Sequence, residues 1–388
     1  MTLTLPRTVI VLGVVSLLND AASEMVTPLL PVFLTATLGA GPAIVGLIEG
    51  AAESAASVLK LVSGWLTDRG WNSKRLVVGG YALSNGVRPL IGFAMSWTLV
   101  LGLRFLDRVG KGIRTAPRDA MIAAVTTPEI RGRAFGFHRS MDHMGAVVGP
   151  LLAFALLSAG FALREVFVAS AVIGIAVVAA LVFGVPSEES RPSAPAGPLL
   201  DWRTLDRRLQ RLLVACGALA LATTPETFLV LWAKDHGLPV AMVPLLWALA
   251  SVLKMCVALP AGIISDRLGR LPVLIGGWTL RVLTLAALAG LVPTQPWAVW
   301  MLFLAYSGTL AITESAERSL VGDVAAPSQR GTAFGWYHLV SGLLILPGAV
   351  IFGSLWEWAG SATAFSAAAC VTLIAATMLL VSVRRSGG

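Results

Sequence analysis

Apolar runs of about twenty residues recur along the whole chain and constrain it more than any other feature, because about 20 apolar residues in a helix cross the hydrocarbon core of a bilayer. Read against turn and charge breaks, they predict spans at 8–35, 43–66, 75–97, 99–124, 133–160 and 164–185, then 209–235, 240–264, 271–292, 296–322, 332–356 and 361–383. The only long polar stretch, rich in Pro, Ser, Glu and Arg, follows the sixth span. The expected organisation is therefore a six-helix bundle over 1–186, a cytoplasmic linker over 187–208 and a second six-helix bundle over 209–388. Twelve spans account for nearly all of the 388 residues, so whatever the chain does happens within the membrane.

Composition excludes the soluble classes. Charged residues make up 13% and hydrophobic ones 56%, with a mean hydropathy of +0.80, whereas globular chains carry about 25% charged residues. The net charge of +8 does not mark a nucleic-acid binder, since the basic residues sit at span ends or inside spans and not on a soluble face. Cys216, Cys256 and Cys370 stand singly in apolar stretches and signal neither a disulfide framework nor a zinc site. The first apolar run is too long for a signal-peptide core and contains Asp20 and Glu24, so it is expected to stay as a first transmembrane helix. Outside the spans and at their ends, sixteen Lys and Arg residues fall on one side of the membrane and only Arg164 and Lys234 on the other, which predicts cytoplasmic termini and a cytoplasmic linker.

The two halves repeat one another. Gly64-Trp65-Leu66-Thr67-Asp68-Arg69 recurs 198 residues later as Gly262-Ile263-Ile264-Ser265-Asp266-Arg267, and Arg131-Gly132-Arg133-Ala134-Phe135-Gly136 recurs 199 residues later as Arg330-Gly331-Thr332-Ala333-Phe334-Gly335. Both repeats follow even-numbered spans, so the halves are expected in parallel topology.

The repeated G-x-x-x-D-R signature in a 6+6 chain resembles the major facilitator superfamily (MFS), over nearly the whole sequence. That resemblance implies an all-α integral membrane protein of MFS fold with 12 transmembrane helices, working by alternating access, with Asp68, Arg69, Asp266 and Arg267 in the inward gate. The first copy, Asp68-Arg69-Gly70-Trp71-Asn72-Ser73-Lys74-Arg75, is about one residue longer than the family pattern. In the fifth span, Gly136, Gly145, Gly149 and Pro150 follow the spacing G-x8-G-x3-G-P, which looks like the motif of the antiporter, exporter-like branch. Its physical content is a small-residue face that packs closely on a neighbouring helix, with a proline where the helix can bend. In the fourth span, Arg108-Val109-Gly110-Lys111-Gly112 resembles the antiporter pattern R-x-x-Q-G, with Lys111 in place of glutamine; the family role carried over makes Arg108 a coupling residue.

Set in from the span ends, eleven cations and ten acids lie inside the predicted spans. At about 3 kcal/mol for each one facing lipid, their sum would far exceed the roughly 5–15 kcal/mol by which proteins are stable. They must face one another or a wet cavity. Helical spacing puts Asp20 with Glu24 and Glu49 with Glu53 one turn apart, and Arg104, Arg108, Lys111 and Arg118 in one stripe. Asp20 and Glu24 lead as the proton or cation site, with Glu53 and Arg108 completing the proton-coupling set; a permanent structural network between the acids and the helix-four arginines is the alternative. Substrate contacts are expected from Glu226, Glu314, His138, Asp142 and Lys111. Arg118 and Glu317, equivalent across the repeat but opposite in sign, are expected to take part in gating, either paired with each other or each within its own half. Trp232 and Trp247 are further candidates for lining a path.

These readings converge on a multi-pass transporter of a bacterial-type cytoplasmic (inner) membrane. The expected protein is a proton-coupled antiporter exporting a drug-like molecule or organic cation, driven by the proton gradient with no cofactor, surrounded by membrane lipid and working as a monomer on a small-molecule substrate. Two other transporters fit the same residues. One is a divalent-metal exporter of nickel or cobalt type, using His138 and Asp142. The other is an importer of an anionic small molecule, using the basic stripe. A membrane receptor or enzyme is disfavoured, because the sequence offers no nucleophile, metal motif or output domain to carry it.

Overall fold

The computed structural model describes residues 5–126, 128–185, 202, 205–291, 293, 295–324 and 330–384; most of the expected linker falls outside them. Among the described residues the structure is all-α. The helices are α1 (Arg7–Val26), α2 (Leu30–Val32), α3 (Pro42–Asp68), α4 (Ser73–Val87), α5 (Trp97–Ala124), α6 (Pro128–Ser158) and α7 (Leu163–Gly184), followed by α8 (Arg207–Ala222), α9 (Glu226–Asp235), α10 (Val243–Leu268), α11 (Arg270–Gly290), α12 (Pro296–Val324), α13 (Arg330–Ala359) and α14 (Ser361–Arg384). Among the described residues, ten helical stretches are long and apolar enough to cross a membrane, with α1 through Thr37 counted as one and α8 with α9 as another. The stretches outside that measure are α4, only fifteen residues long, and α5, which carries the densest run of charge.

Three predicted spans are interrupted, each at a proline. The first is helical to Val26, turns at Pro28 and resumes as α2 and a π-turn over Phe33–Thr37. The third ends at Val87 and continues past Arg88 as a 3₁₀ turn over Pro89–Phe93. The seventh is split by Thr223-Thr224-Pro225 into α8 and α9. Proline lacks the N–H that would bond the carbonyl four residues back, and its ring crowds that carbonyl. Pro28 and Pro225 are 197 residues apart, so the break itself belongs to the repeat.

Helix starts have local causes. Asn72 accepts from the Arg75 N–H at the head of α4, and Ser96 accepts from Leu99 N at the head of α5. Gly269, at φ +94, makes a one-residue joint between α10 and α11 that an L side chain would strain.

The chain forms two compact units. The first is drawn from Met1–Phe33, Ala55–Gly197 and Ala241–Ala248, the second from Leu34–Ser54, Pro198–Val240 and Leu249–Gly388. Thus α3 and α10 each contribute to both. In the first unit α1 packs on α6 and α7, and α4 packs on α5 and α7; in the second, α8 packs on α13 and α14, and α11 packs on α12 and α14. Helix for helix these are the same contacts, so the sequence repeat is also a repeat of packing.

Glycines set the closest approaches. Gly145 of α6 abuts the Leu17 carbonyl and lies against Asp20, and Gly149 abuts the Ala21 carbonyl. In the second unit Gly348 of α13 abuts the Leu221 carbonyl in the same way. There too, the first half of α3 sits on α13 through Gly46, Gly50 and Gly353, and Ser54 donates to the Gly342 carbonyl at 2.7 Å.

Candidate functional site

In the first unit several of the intramembrane charges form a connected network. Asp107 of α5 is at its centre: Arg88 Nη2 donates to its Oδ1 at 2.9 Å, and Arg104 Nη1 to its Oδ2 at 3.4 Å. All three side chains are at most 3% exposed. Arg88 Nη1 also donates to Asn85 Oδ1 (3.1 Å), Asn85 Nδ2 to Asn19 Oδ1 (3.1 Å), and Asn19 Nδ2 to Asp20 Oδ1 (3.0 Å). An unbroken chain of hydrogen bonds therefore joins Asp20 on α1 to Asp107 on α5 through α4. Arg114 lies beside it, donating to Ser84 Oγ at 2.6 Å with its guanidinium 4.4 Å from the centre of the Tyr81 ring.

A second cluster meets the same turn of α1 from α6. Asp142 accepts from Ser16 Oγ and lies 3.6 Å from His138 Nδ1 and 3.9 Å from Arg139 Nη1. His138 is buried, and its Nε2 has no hydrogen-bond partner among the described residues. The charged groups acting on Asp20 are Asp142 from α6 and Lys111 and Arg114 from α5. Glu24, one turn beyond Asp20, accepts from Trp247 Nε1 at 2.9 Å, in the short stretch of α10 that belongs to this unit. Asp20, Glu24, Asp142, His138 and Lys111 thus lie around one stretch of α1, and Arg108 is half-buried on α5. Glu53 falls in the second unit instead, because α3 changes unit after Ser54.

The second unit holds Glu226, Glu314 and Glu317. Glu226, in the first turn of α9, is paired: Lys254 Nζ of α10 is 2.8 Å from its Oε2, and Ser307 Oγ of α12 donates to its Oε1 at 2.6 Å. Glu317 accepts from Trp278 Nε1 (3.3 Å) and Tyr337 Oη (3.4 Å), and Arg118 is bonded to its neighbour Asp119 at 2.9 and 3.0 Å. Of the two pairings left open for these residues, each has partners in its own unit. Glu314 is exposed. Arg281 Nη2 donates to Thr313 Oγ1 at 2.6 Å.

Of the gate residues, Arg69 stacks on Trp65 at 3.8 Å and Arg267 is exposed, while the side chains of Asp68 and Asp266 lie outside the described residues. Pro150 continues α6 after Gly149. Glycines of the fourth-span motif pack on two sides, Gly110 against the Gly80 carbonyl of α4 and Gly112 against Ala56 and Leu59 of α3. Among the described residues, no three of His, Cys, Asp and Glu come together as a metal site.

Attention to charge alone overlooks the neutral links Ser16, Asn19, Ser84, Asn85 and Ser307, although an amide in an apolar run is itself a signal, since it must find a partner there.

The sequence model described as Major Facilitator Superfamily matches residues 12–316 and 227–387. The chain belongs to this superfamily. An uncharacterized MFS-type transporter of Methanocaldococcus jannaschii is 30% identical over 91% of this chain and 89% of its own. A multidrug resistance protein, MdtH of Aeromonas hydrophila, is 25% identical over 89% and 86%. Among solved structures, a bacterial homolog of the human lysosomal transporter Spinster aligns with a TM-score of 0.80 at 17% identity, covering 98% of both chains. The nucleoside transporter NupG (D323A mutant) aligns at 0.79 and 13%, covering 97% and 99%. The protein is a multi-pass membrane transporter of MFS fold acting on a small molecule.

Proposed function

We propose that this transporter is a proton-coupled antiporter of the cytoplasmic membrane, with both termini in the cytoplasm, that exports a drug-like organic cation as a monomer by alternating access. The observation that carries the reading is the α1/α6 seam. Gly145 and Gly149, from the motif resembling that of the exporter branch, seat α6 on the turn of α1 that bears Asp20, beside Asp142. Without a side chain at either glycine the two backbones are in contact, so a change of charge on Asp20 acts directly on the packing of two helices. The network from Asp20 to Asp107 gives that carboxylate fixed polar neighbours, and its likeness to MdtH proteins supports outward movement of drugs.

The test is transport in proteoliposomes with an imposed pH gradient. Wild-type protein should accumulate tetraphenylphosphonium in vesicles with an acidic interior. Asp20→Asn should lose this gradient-driven accumulation while still exchanging labelled for unlabelled probe. Gradient-driven accumulation by Asp20→Asn equal to wild type would remove Asp20 from coupling, and accumulation independent of the gradient would reject the antiporter.

A further inference from the structure

Carboxyl groups inside this chain are held in two ways, and bond length separates them. Each paired acid has a bond of ionic length: Asp107 accepts from Arg88 at 2.9 Å, and Glu226 from Lys254 at 2.8 Å and Ser307 at 2.6 Å. An ionised oxygen draws its donors to about 2.7–2.9 Å from nitrogen and about 2.5–2.7 Å from a hydroxyl. Glu317 of α12 has no such bond. Its two donors are neutral and distant, the Trp278 indole N–H of α11 at 3.3 Å and the Tyr337 hydroxyl of α13 at 3.4 Å. Both of those side chains belong to the apolar cluster of the second unit.

The groups around Glu317 sharpen the contrast. Two charges act on it, Arg281 of α11 and Glu314 one turn before it on α12. The other titratable neighbours are Tyr337 of α13 and Cys216 of α8, and α14 brings only Ala375, Ala376 and Leu379 to the cluster. Arg281 is 4% exposed, donates to Thr313 Oγ1 at 2.6 Å and leaves its Nε–H without a partner among the described residues. On α11 it lies one turn from Trp278, as Thr313 lies one turn from Glu317 on α12. Guanidinium and carboxyl are therefore diagonal neighbours on one helix crossing, each bonded to a neutral group. A buried guanidinium with an unused donor beside an ionised carboxylate would bond it, because each charge otherwise stays uncompensated. A protonated carboxyl makes no such demand.

We propose that Glu317 is a proton-binding site of the second unit, which holds a proton while Arg281 is on Thr313 and loses it as Arg281 moves to the carboxylate. On release the proton passes to water and the carboxyl oxygen keeps the electron pair of its O–H bond. Arg281, charged throughout, exchanges a hydroxyl acceptor for an anionic one, and uptake reverses both changes. The site goes beyond the coupling role of Asp20 and depends on neither the substrate nor the direction of transport.

Infrared difference spectroscopy of the purified full-length protein against pH reads the carbonyl stretch of protonated carboxyl groups. Wild type should lose one such band as the pH rises; the band should be absent from Glu317→Gln and present in Asp20→Asn. Arg281→Met should keep the band to a pH about 1–3 units higher, because the cation that favours the anion is gone. Thr313→Val should lose it at a lower pH than wild type, because Arg281 then has no competing acceptor.

Identical bands in wild type and Glu317→Gln overturn the proposal, and so does a Glu317 band that never titrates or whose midpoint neither Arg281→Met nor Thr313→Val moves. Should Glu317→Gln fail to fold, Trp278→Phe decides, since loss of the indole N–H must move the frequency of the same band; a band that stays put does not belong to Glu317. A band lost in Asp20→Asn and kept in Glu317→Gln would sink this site and leave the antiporter standing. A Glu317 band that titrates in a protein without gradient-driven transport would do the reverse.

Discussion

Gly79 and Gly80 are neighbours on α4 in different surroundings, and they give a direct test of how the α4/α5 seam of the first unit is held. A Cβ built on Gly79 meets nothing within 4 Å. One built on Gly80 lies 2.6 Å from the Gly110 carbonyl oxygen, 2.8 Å from Arg114 Cβ and 3.0 Å from Arg114 N. Two of those three atoms are backbone, so relief requires α4 and α5 to part by about 0.4 Å, from 2.6 Å to the shortest tolerated separation of 3.0 Å. That movement also pulls on the Arg114–Ser84 hydrogen bond. Overpacking of this kind costs about 1–3 kcal/mol, and replacing a helical glycine by alanine gains about 1 kcal/mol at either position. The propensity gain cancels in the comparison, so Gly80→Ala should be about 1–3 kcal/mol less stable than Gly79→Ala.

The second half supplies the control at an offset of 197. A Cβ on Gly276 meets nothing, whereas one on Gly277 meets Thr313 Cγ2 at 2.5 Å and Ile312 Cγ2 at 3.1 Å. Those are side-chain methyl groups and not backbone, so small side-chain shifts can relieve the contact without parting the helices, and the Gly277→Ala penalty should be smaller than that of Gly80→Ala. Reversible unfolding of detergent-solubilised protein by sodium dodecyl sulfate measures all four variants. Equal stability of Gly79→Ala and Gly80→Ala, or a larger loss in Gly277→Ala, would refute the argument that backbone contact sets the α4/α5 seam.

Asp107→Asn should be among the most damaging single changes, because it removes the buried carboxylate that Arg88 and Arg104 share and costs about 3–5 kcal/mol; recovery of wild-type amounts of monodisperse protein would contradict this. Asn85→Ala removes the link between Asn19 and Arg88, and with their polar atoms left unsatisfied should cost about 1–3 kcal/mol in the same unfolding assay, against no change if the link carries nothing.

The long apolar helices were legible because lipid demands them, and outside the three spans broken at prolines the observed helices begin and end within about five residues of the expected runs. The breaks at Pro28, Pro89 and Pro225 were not, because hydropathy does not register a missing N–H. The clustering of acids and cations was likewise expected from their number alone. Their partners were not: Lys254 and Glu226 are 28 residues apart on different helices, and Glu24 is bonded by an indole 223 residues away. Periodicity assigns a residue to a helix face, whereas the partner depends on which helix the packing brings opposite. Glu53 shows the limit, since a break between units within one continuous helix leaves no mark on its apolar pattern.

The repeat preserves geometry more faithfully than residue identity, and one contact allows this to be tested. Arg114 of α5 donates to Ser84 of α4 at 2.6 Å; in the second unit Arg281 of α11 donates to Thr313 of α12, also at 2.6 Å. Ser84 and Arg281 are equivalent at an offset of 197, and Arg114 and Thr313 at 199, so arginine and hydroxyl have changed places across the same helix pair. What each crossing requires is one guanidinium and one hydroxyl, whichever helix supplies them. Arg281→Ser alone should lose the charged hydrogen bond, worth about 1.5–3 kcal/mol. Arg281→Ser combined with Thr313→Arg rebuilds the arrangement of the first unit and should recover most of that loss. The first unit shows that the crossing admits it, because Arg114 fits beside Gly80 and its counterpart here is Gly277. If the double variant is no more stable than Arg281→Ser, the crossing depends on which helix carries the charge, and the equivalence drawn from the repeat fails at this contact.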